Sequence, residues 1–305
     1  MNESVPNRGV LLTFSAYLLW GFFPAFFTLL IPASPTEVIG VRVISSLFFS
    51  LVVVTIFRSW KQLKAIFTNK RSFLTFLVGG VLVFLNWYIY LIAVLTGHVI
   101  ESALGYFINP ITTVLLGVVF FKENLRPLQW IAIGIGTVAV LVLSISYGQF
   151  PWLALSLALT FSGYALVKNR FAKNVRADVG VAAETIVILP FAFIALFYVA
   201  STAEGLVFGT AGPAHTFFMI IAGLVTIIPL LIFAAGAKSI TLVAIGLIQF
   251  VAPIMQFLFG YLIMKEPMPA ERWVGFTLIW VALIFVVADM IVSNRKGRRA
   301  KTTAL

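Results

Sequence analysis

Four residues inside one apolar run pose the chemical question. Between Val99 and Phe121 the chain places Tyr106, Asn109, Thr113 and Gly117 at steps of three, four and four, which lines them up on one helical face. Gln249, Gln256 and Gly260 repeat that face, each 143 positions after Tyr106, Thr113 and Gly117 (249 − 106 = 143). Phenol, amide and hydroxyl groups there bond a ligand or water in a shared cavity, or else join helices, since Gln and Asn also hydrogen-bond across spans. Asn86, Trp87 and Tyr90 sit inside another apolar run, with Asn86 four residues before Tyr90. Rings with polar tips suit a small amphipathic ligand, although Trp and Tyr also anchor spans at membrane interfaces. Trp20 and Tyr164 are weaker candidates for the same cavity.

Two charges stand where charge is costly. Arg42 and Glu184 lie about 9 Å inside their runs at ~1.5 Å per residue, and they are mates at an offset one residue shorter (184 − 42 = 142). A charge at such depth marks function or gating by default, with snorkelling or a structural pair as the competing readings. Glu101, near the end of its run, joins Glu184 as a candidate carrier of a coupling proton.

Covalent chemistry finds no support. Cysteine is absent, which removes disulfides, thiolate metal sites and thiol nucleophiles. His98 and His215 are the only histidines and have no ligand partners nearby in sequence, so neither a metal nor a cofactor is expected. No Walker loop, serine elbow or carboxylate cluster appears. The stretch from Gly134 through Gly136 to Ala139 spells a dinucleotide fingerprint, but it lies in an apolar run with no preceding strand and reads as helix packing.

The elements that position these groups follow from composition. With 61% hydrophobic residues and 10% charged, against roughly 25% charged in soluble domains, most of the chain belongs in lipid. Mean hydropathy is +1.08. Ten runs approach the ~20 residues that cross hydrocarbon: 9 to 31, 36 to 57, 73 to 95, 99 to 121, 127 to 146, 150 to 168, 178 to 200, 214 to 236, 241 to 264 and 270 to 292. The fold class expected is therefore an all-α integral membrane protein with ten transmembrane helices. The first run is too long for a signal-peptide core and is kept as a span.

Lysine and arginine set the orientation. With the amino terminus in the cytoplasm, all but three of the 21 Lys and Arg fall in cytoplasmic segments; the exceptions are Lys265, Arg272 and the in-span Arg42. That asymmetry predicts both termini in the cytoplasm. It also explains the net charge of +11 without a nucleic-acid partner. The segment Arg58 to Arg71, with Trp60, Leu63 and Phe67 between lysines, is expected to lie amphipathically on the cytoplasmic leaflet, and the basic tail at 291–305 to be disordered and drawn to lipid.

The chain also repeats. Pro110 to Trp130 and Pro253 to Trp273 superpose at the 143 offset through proline, glycine, Lys122-Glu123 with Lys265-Glu266, and tryptophan. The copies run from 9 to 144 and from 150 to 290. Five spans per copy is odd, so the second copy must be inverted, an arrangement that sets a site between the halves near the midplane and suits alternating access.

Two such halves resemble the EamA domains of the drug/metabolite transporter superfamily. GVLLTFSAYLLWGFFPAFF, GYFINP and KE-x-L-x-x-x-QW look like its RarD branch, permeases named from chloramphenicol sensitivity. The resemblance covers nearly the whole chain and implies a bacterial inner-membrane exporter of small metabolites or drugs, without giving a ligand. A flippase for lipid-linked substrates or a membrane-embedded enzyme is the alternative; the enzyme would need a carboxylate or histidine cluster at one depth.

Overall fold

The structure, a computed structural model, describes residues 5–122, 124–146, 150–172, 174–237, 240 and 242–303. Helices account for all of its regular elements among the described residues. The first span is a bent pair, α1 (Val5–Gly21) and α2 (Phe23–Phe27), continued by a 3-10 turn at Thr28–Leu30 and kinked by 41°. Pro24 explains the kink, because it has no N–H for the carbonyl of Trp20 four residues back.

α3 (Pro35–Ile56) opens with Pro35 at its first position and with Ser34 Oγ accepting from the Glu37 amide at 3.2 Å. After α4 (Trp60–Thr68), α5 (Lys70–Leu95) is capped by Asn69 Oδ1, which accepts from the Ser72 amide at 3.0 Å. Then come α6 (Val99–Phe121), α7 (Pro127–Ser146), α8 (Trp152–Phe171), α9 (Ala177–Ala200) and α10 (Pro213–Gly236). The expected span at 241 to 264 is broken into α11 (Leu242–Ile248), α12 (Val251–Leu258) and a π-helical turn at Phe259–Ile263. Pro253 lies just past that first break and withholds a donor from Gln249. α13 (Ala270–Thr303) ends the fold.

Eight helical stretches are long and apolar enough to cross a membrane, or nine when the bent pair counts as one. The expected ten differ from this by α8, whose apolar part, Trp152–Lys168, falls short of the usual length. Two other expectations change, and a third, the helix packing of the α7 glycines, holds at one position. Leu63 and Ile66 of α4 are buried against Val54, Phe76 and Val179, so this amphipathic helix turns much of its apolar face to protein rather than to the lipid leaflet, leaving Trp60 and Phe67 exposed. The basic tail continues α13 to Thr303, since Arg, Lys and Ala sustain a helix and no proline stops it. In the glycine-rich stretch of α7, only Gly136 sits against a neighbour, Ile111, while a β-carbon at Gly134 would meet open space.

Packing partners come in matched sets. The sequence offset carries α1 to α8, α3 to α9, α5 to α10, α6 to α11 and α12, and α7 to α13. α6 packs on α8 and α12 on α1; α5 packs on α8 and α10 on α1; α3 packs on α10 and α9 on α5. α3 with α9 and α7 with α13 are pairs that map onto themselves. Close approach is served by glycine at mated positions, where a β-carbon at Gly80 would collide with Val187 of α9 and one at Gly223 with the backbone of Ser45 and Ser46 in α3. Lys122 and Lys265, mates at the ends of their helices, both adopt left-handed backbone, with φ of 52° and 54°. Phe48, Phe193, Ile194, Phe197, Ile145 and Ile284 are exposed along the helix surfaces, as apolar side chains facing lipid are.

Candidate functional site

Arg42 projects from α3 into the interior and is 1% exposed. Its Nε donates to Thr226 Oγ1 of α10 at 2.8 Å, and its guanidinium lies 4.6 Å from the ring centre of Trp87, 4.8 Å from that of Phe27 and 5.8 Å from that of Phe23. Snorkelling to headgroups is thereby replaced by enclosure, because the aromatic faces of α2 and α5 surround the cation. Nη1 is buried without a hydrogen-bond partner, and no carboxylate pairs with Arg42 among the described residues. Burying a lone cation costs several kcal/mol, whereas desolvated cation–π contacts return about 2 kcal/mol. The cage offsets only part of the cost.

Beside it stand Tyr90 of α5 and Tyr106 of α6, both within electrostatic reach of the guanidinium. Their rings are 5.9 Å apart, and Tyr90 also contacts Phe23 and Phe27 at 6.5 and 6.1 Å. The Tyr90 hydroxyl is buried and has no partner. Tyr106 donates to Asn86 Oδ1 at 3.4 Å, while Asn86 Nδ2 donates to the Leu157 carbonyl and to Thr160 Oγ1 of α8, each at 3.1 Å. Asn86, Trp87, Tyr90, Tyr106 and Arg42 therefore converge, as a set that sequence spacing alone did not join.

The remaining polar face of α6 turns to α8. Ser162 is its hub, donating to Asn109 Oδ1 at 3.2 Å, accepting from Thr113 Oγ1 at 3.1 Å and exchanging a 2.6 Å bond with Thr112 Oγ1. On α9, Glu184 Oε1 accepts from Lys168 Nζ at 2.8 Å and Oε2 from the Tyr164 hydroxyl at 3.1 Å, which is the geometry of a structural pair. Gln256 donates to the Trp20 carbonyl, and Gln249 to the Gly246 carbonyl of its own segment. Their bonds thus lead to other helices than those of Asn109 and Thr113.

Glu101 lines a separate cavity of about 350 Å³ with Thr96, His98, Trp152, Arg272 and Phe276, and its Oε1 is buried without a partner. Close by, Glu266 Oε1 and Oε2 accept from the first amides of α6, Val99 at 2.6 Å and Ile100 at 2.9 Å. Burial raises the Glu266 carboxyl above its ordinary range, while those amides and the Arg272 charge pull it down. Glu123, its mate, lies outside the described residues.

Sequence reasoning passed over several of these groups. Glu37, 0% exposed, accepts from the Phe208 amide at 2.6 Å through Oε1 and leaves Oε2 unpartnered. Nothing in its spacing marked its depth. Thr226 and Ser162 carried no signal, since single hydroxyls are common in spans. Lys168, counted as a topological charge, was recognisable as a partner only once α8 and α9 were placed side by side.

Charged and polar groups buried between membrane-length helices define a multi-pass membrane protein, and the comparisons place it further. The profile of the EamA-like transporter family matches residues 7–145. Protein RarD of Streptomyces exfoliatus is 37% identical over 97% of this chain and 93% of its own. Protein RarD of Escherichia coli (strain K12) is 36% identical over 97% of this chain and 99% of its own. YojE of Bacillus subtilis (strain 168), an uncharacterized transporter, is 32% identical over 98% and 99%. The chain belongs to the EamA-like transporter family, among its RarD-type permeases. A solved crystal structure shares the fold, with a TM-score of 0.60 over 91% of this chain and 96% of its own at 16% identity.

Proposed function

We propose that the protein is a secondary transporter that exports small metabolites or drugs across the bacterial cytoplasmic membrane by alternating access between two inverted five-helix repeats. The matched packing sets carry this reading: the contacts of α8 with α5 and α6 have counterparts in those of α1 with α10 and α12, and α3 with α9 and α7 with α13 pair across the implied axis. The shared left-handed turns at Lys122 and Lys265 support it. α8 completes ten spans, its short apolar stretch sheltered by α5 and α6. Both termini are cytoplasmic on the lysine and arginine count. The substrate occupies the Arg42, Asn86, Trp87, Tyr90 and Tyr106 cluster, which draws on α3, α5 and α6 and is closed by Thr226 of α10.

Reporter fusions after Lys64, Arg126 and Arg298 read cytoplasmic, and those after Ser34 and Glu204 external. Metabolite profiles of cells with and without the protein then give its cargo. Unchanged profiles under every growth condition tried, or an external reading after Arg126, count against the proposal.

A further inference from the structure

We infer that the cargo is an organic anion bound through a carboxylate, with an apolar body and no positive charge of its own. The inference rests on the transporter reading for its site and extends it to the chemistry of the ligand. Two polar groups in the cluster are buried without partners, Arg42 Nη1 and the Tyr90 hydroxyl. Both are donors, and one is cationic. An acceptor carrying negative charge satisfies both, and a planar carboxylate matches the guanidinium fork better than a point anion does. Phe23, Phe27 and Trp87 lie around the same guanidinium, so a ligand that reaches it meets apolar side chains.

The charge pattern disfavours a zwitterion. An ammonium on the ligand needs an anionic or carbonyl partner, and the guanidinium already faces the three rings that otherwise accept a cation. Asn86 Oδ1, a side-chain acceptor of the cluster, already takes a bond from Tyr106. The two carboxylates that earlier drew attention lie elsewhere: Glu184 is bonded to Lys168 and Tyr164, and Glu101 faces the cavity shared with Arg272.

The test uses the purified full chain in detergent, with thermal unfolding read against acetate, 3-phenylpropionate, 3-phenylpropionamide and phenylalanine. Acetate and 3-phenylpropionate raise the unfolding temperature in a saturable way, with phenylpropionate the tighter, while the neutral amide and the zwitterion do not. Arg42→Gln weakens phenylpropionate by roughly 10- to 100-fold, as loss of a charged hydrogen bond does. Tyr90→Phe, which removes one oxygen and keeps the ring, weakens it by roughly 3- to 10-fold and guards against misfolding of the arginine variant. The inference is overturned if neither carboxylate shifts unfolding, if the amide or phenylalanine shifts it equally, or if both variants respond as the wild type does.

Flux separates this from the transporter reading. Saturable, Arg42-dependent binding with no movement of labelled phenylpropionate into proteoliposomes keeps the anion site and sinks transport. Flux of a neutral compound such as chloramphenicol that Arg42→Gln leaves unchanged keeps transport and sinks the anion site.

Discussion

Gln256 donates from Nε2 to the main-chain carbonyl of Trp20, 3.1 Å away. That carbonyl is free because Pro24, four residues on, has no N–H to offer it. The kink in the first span and the glutamine on α12 are thus two parts of one arrangement. Replacing Gln256 with Leu strands a buried acceptor and is expected to lower stability by about 1–3 kcal/mol. In a Pro24→Ala background the restored amide reaches the carbonyl, and the same change costs less. Thermal unfolding of the four proteins gives the coupling, and additive effects would separate the two residues.

Glycine at the crossing of α10 with α3 is expected to resist substitution. Gly223→Ala drives a methyl into the Ser45–Ser46 backbone and lowers stability by about 1–3 kcal/mol or more. Gly134→Ala, where a β-carbon meets nothing within 4 Å, is neutral or stabilising by roughly 0.4–1 kcal/mol. Equal unfolding temperatures for the two variants would contradict the crossing.

The chain has no cysteine, so single cysteines report sidedness cleanly. Lys122 and Lys265 are both exposed, unlike the buried Glu266. In intact cells, Lys265→Cys reacts with an impermeant thiol reagent and Lys122→Cys does not until the cells are opened. Equal labelling from outside would remove the inversion.

If protons drive flux, Glu101 is the carboxylate expected to carry them. Its Oε1 is buried and unpartnered beside a cavity, whereas Glu184 is bonded to Lys168 and Tyr164. Glu101→Gln abolishes pH-driven uptake into proteoliposomes and spares substrate exchange, while Glu184→Gln keeps pH-driven uptake. Normal pH-driven uptake in both variants leaves uniport or another ion.

Much of the frame was readable from residue types. Apolar runs gave the helices, and the depth of Arg42 and Glu184 marked them as groups in need of company. What the company would be depended on rotation of one helix against another, which a period of 3.6 residues leaves open. Hence Glu184 found Lys168 and Tyr164, Arg42 found rings and a threonine, and Gln256 found a carbonyl. The span around α8 was legible as apolar but not as short, because its hydroxyls at Thr160 and Ser162 meet partners on other helices only in the assembled bundle. Glu37 drew no reading at all, and only the approach of Phe208 revealed it as a buried anchor.

The carboxylate of Glu266 closes over amides 167 and 166 residues earlier in the chain. Synthesis at ~5–20 residues per second separates the two by about 10 to 30 s. During that interval α6 is already made and its first amides must be served by water. They acquire their permanent partner only when almost the whole chain has been threaded into the bilayer, so a nascent chain arrested before Glu266 carries a helix start that biogenesis has not yet sealed.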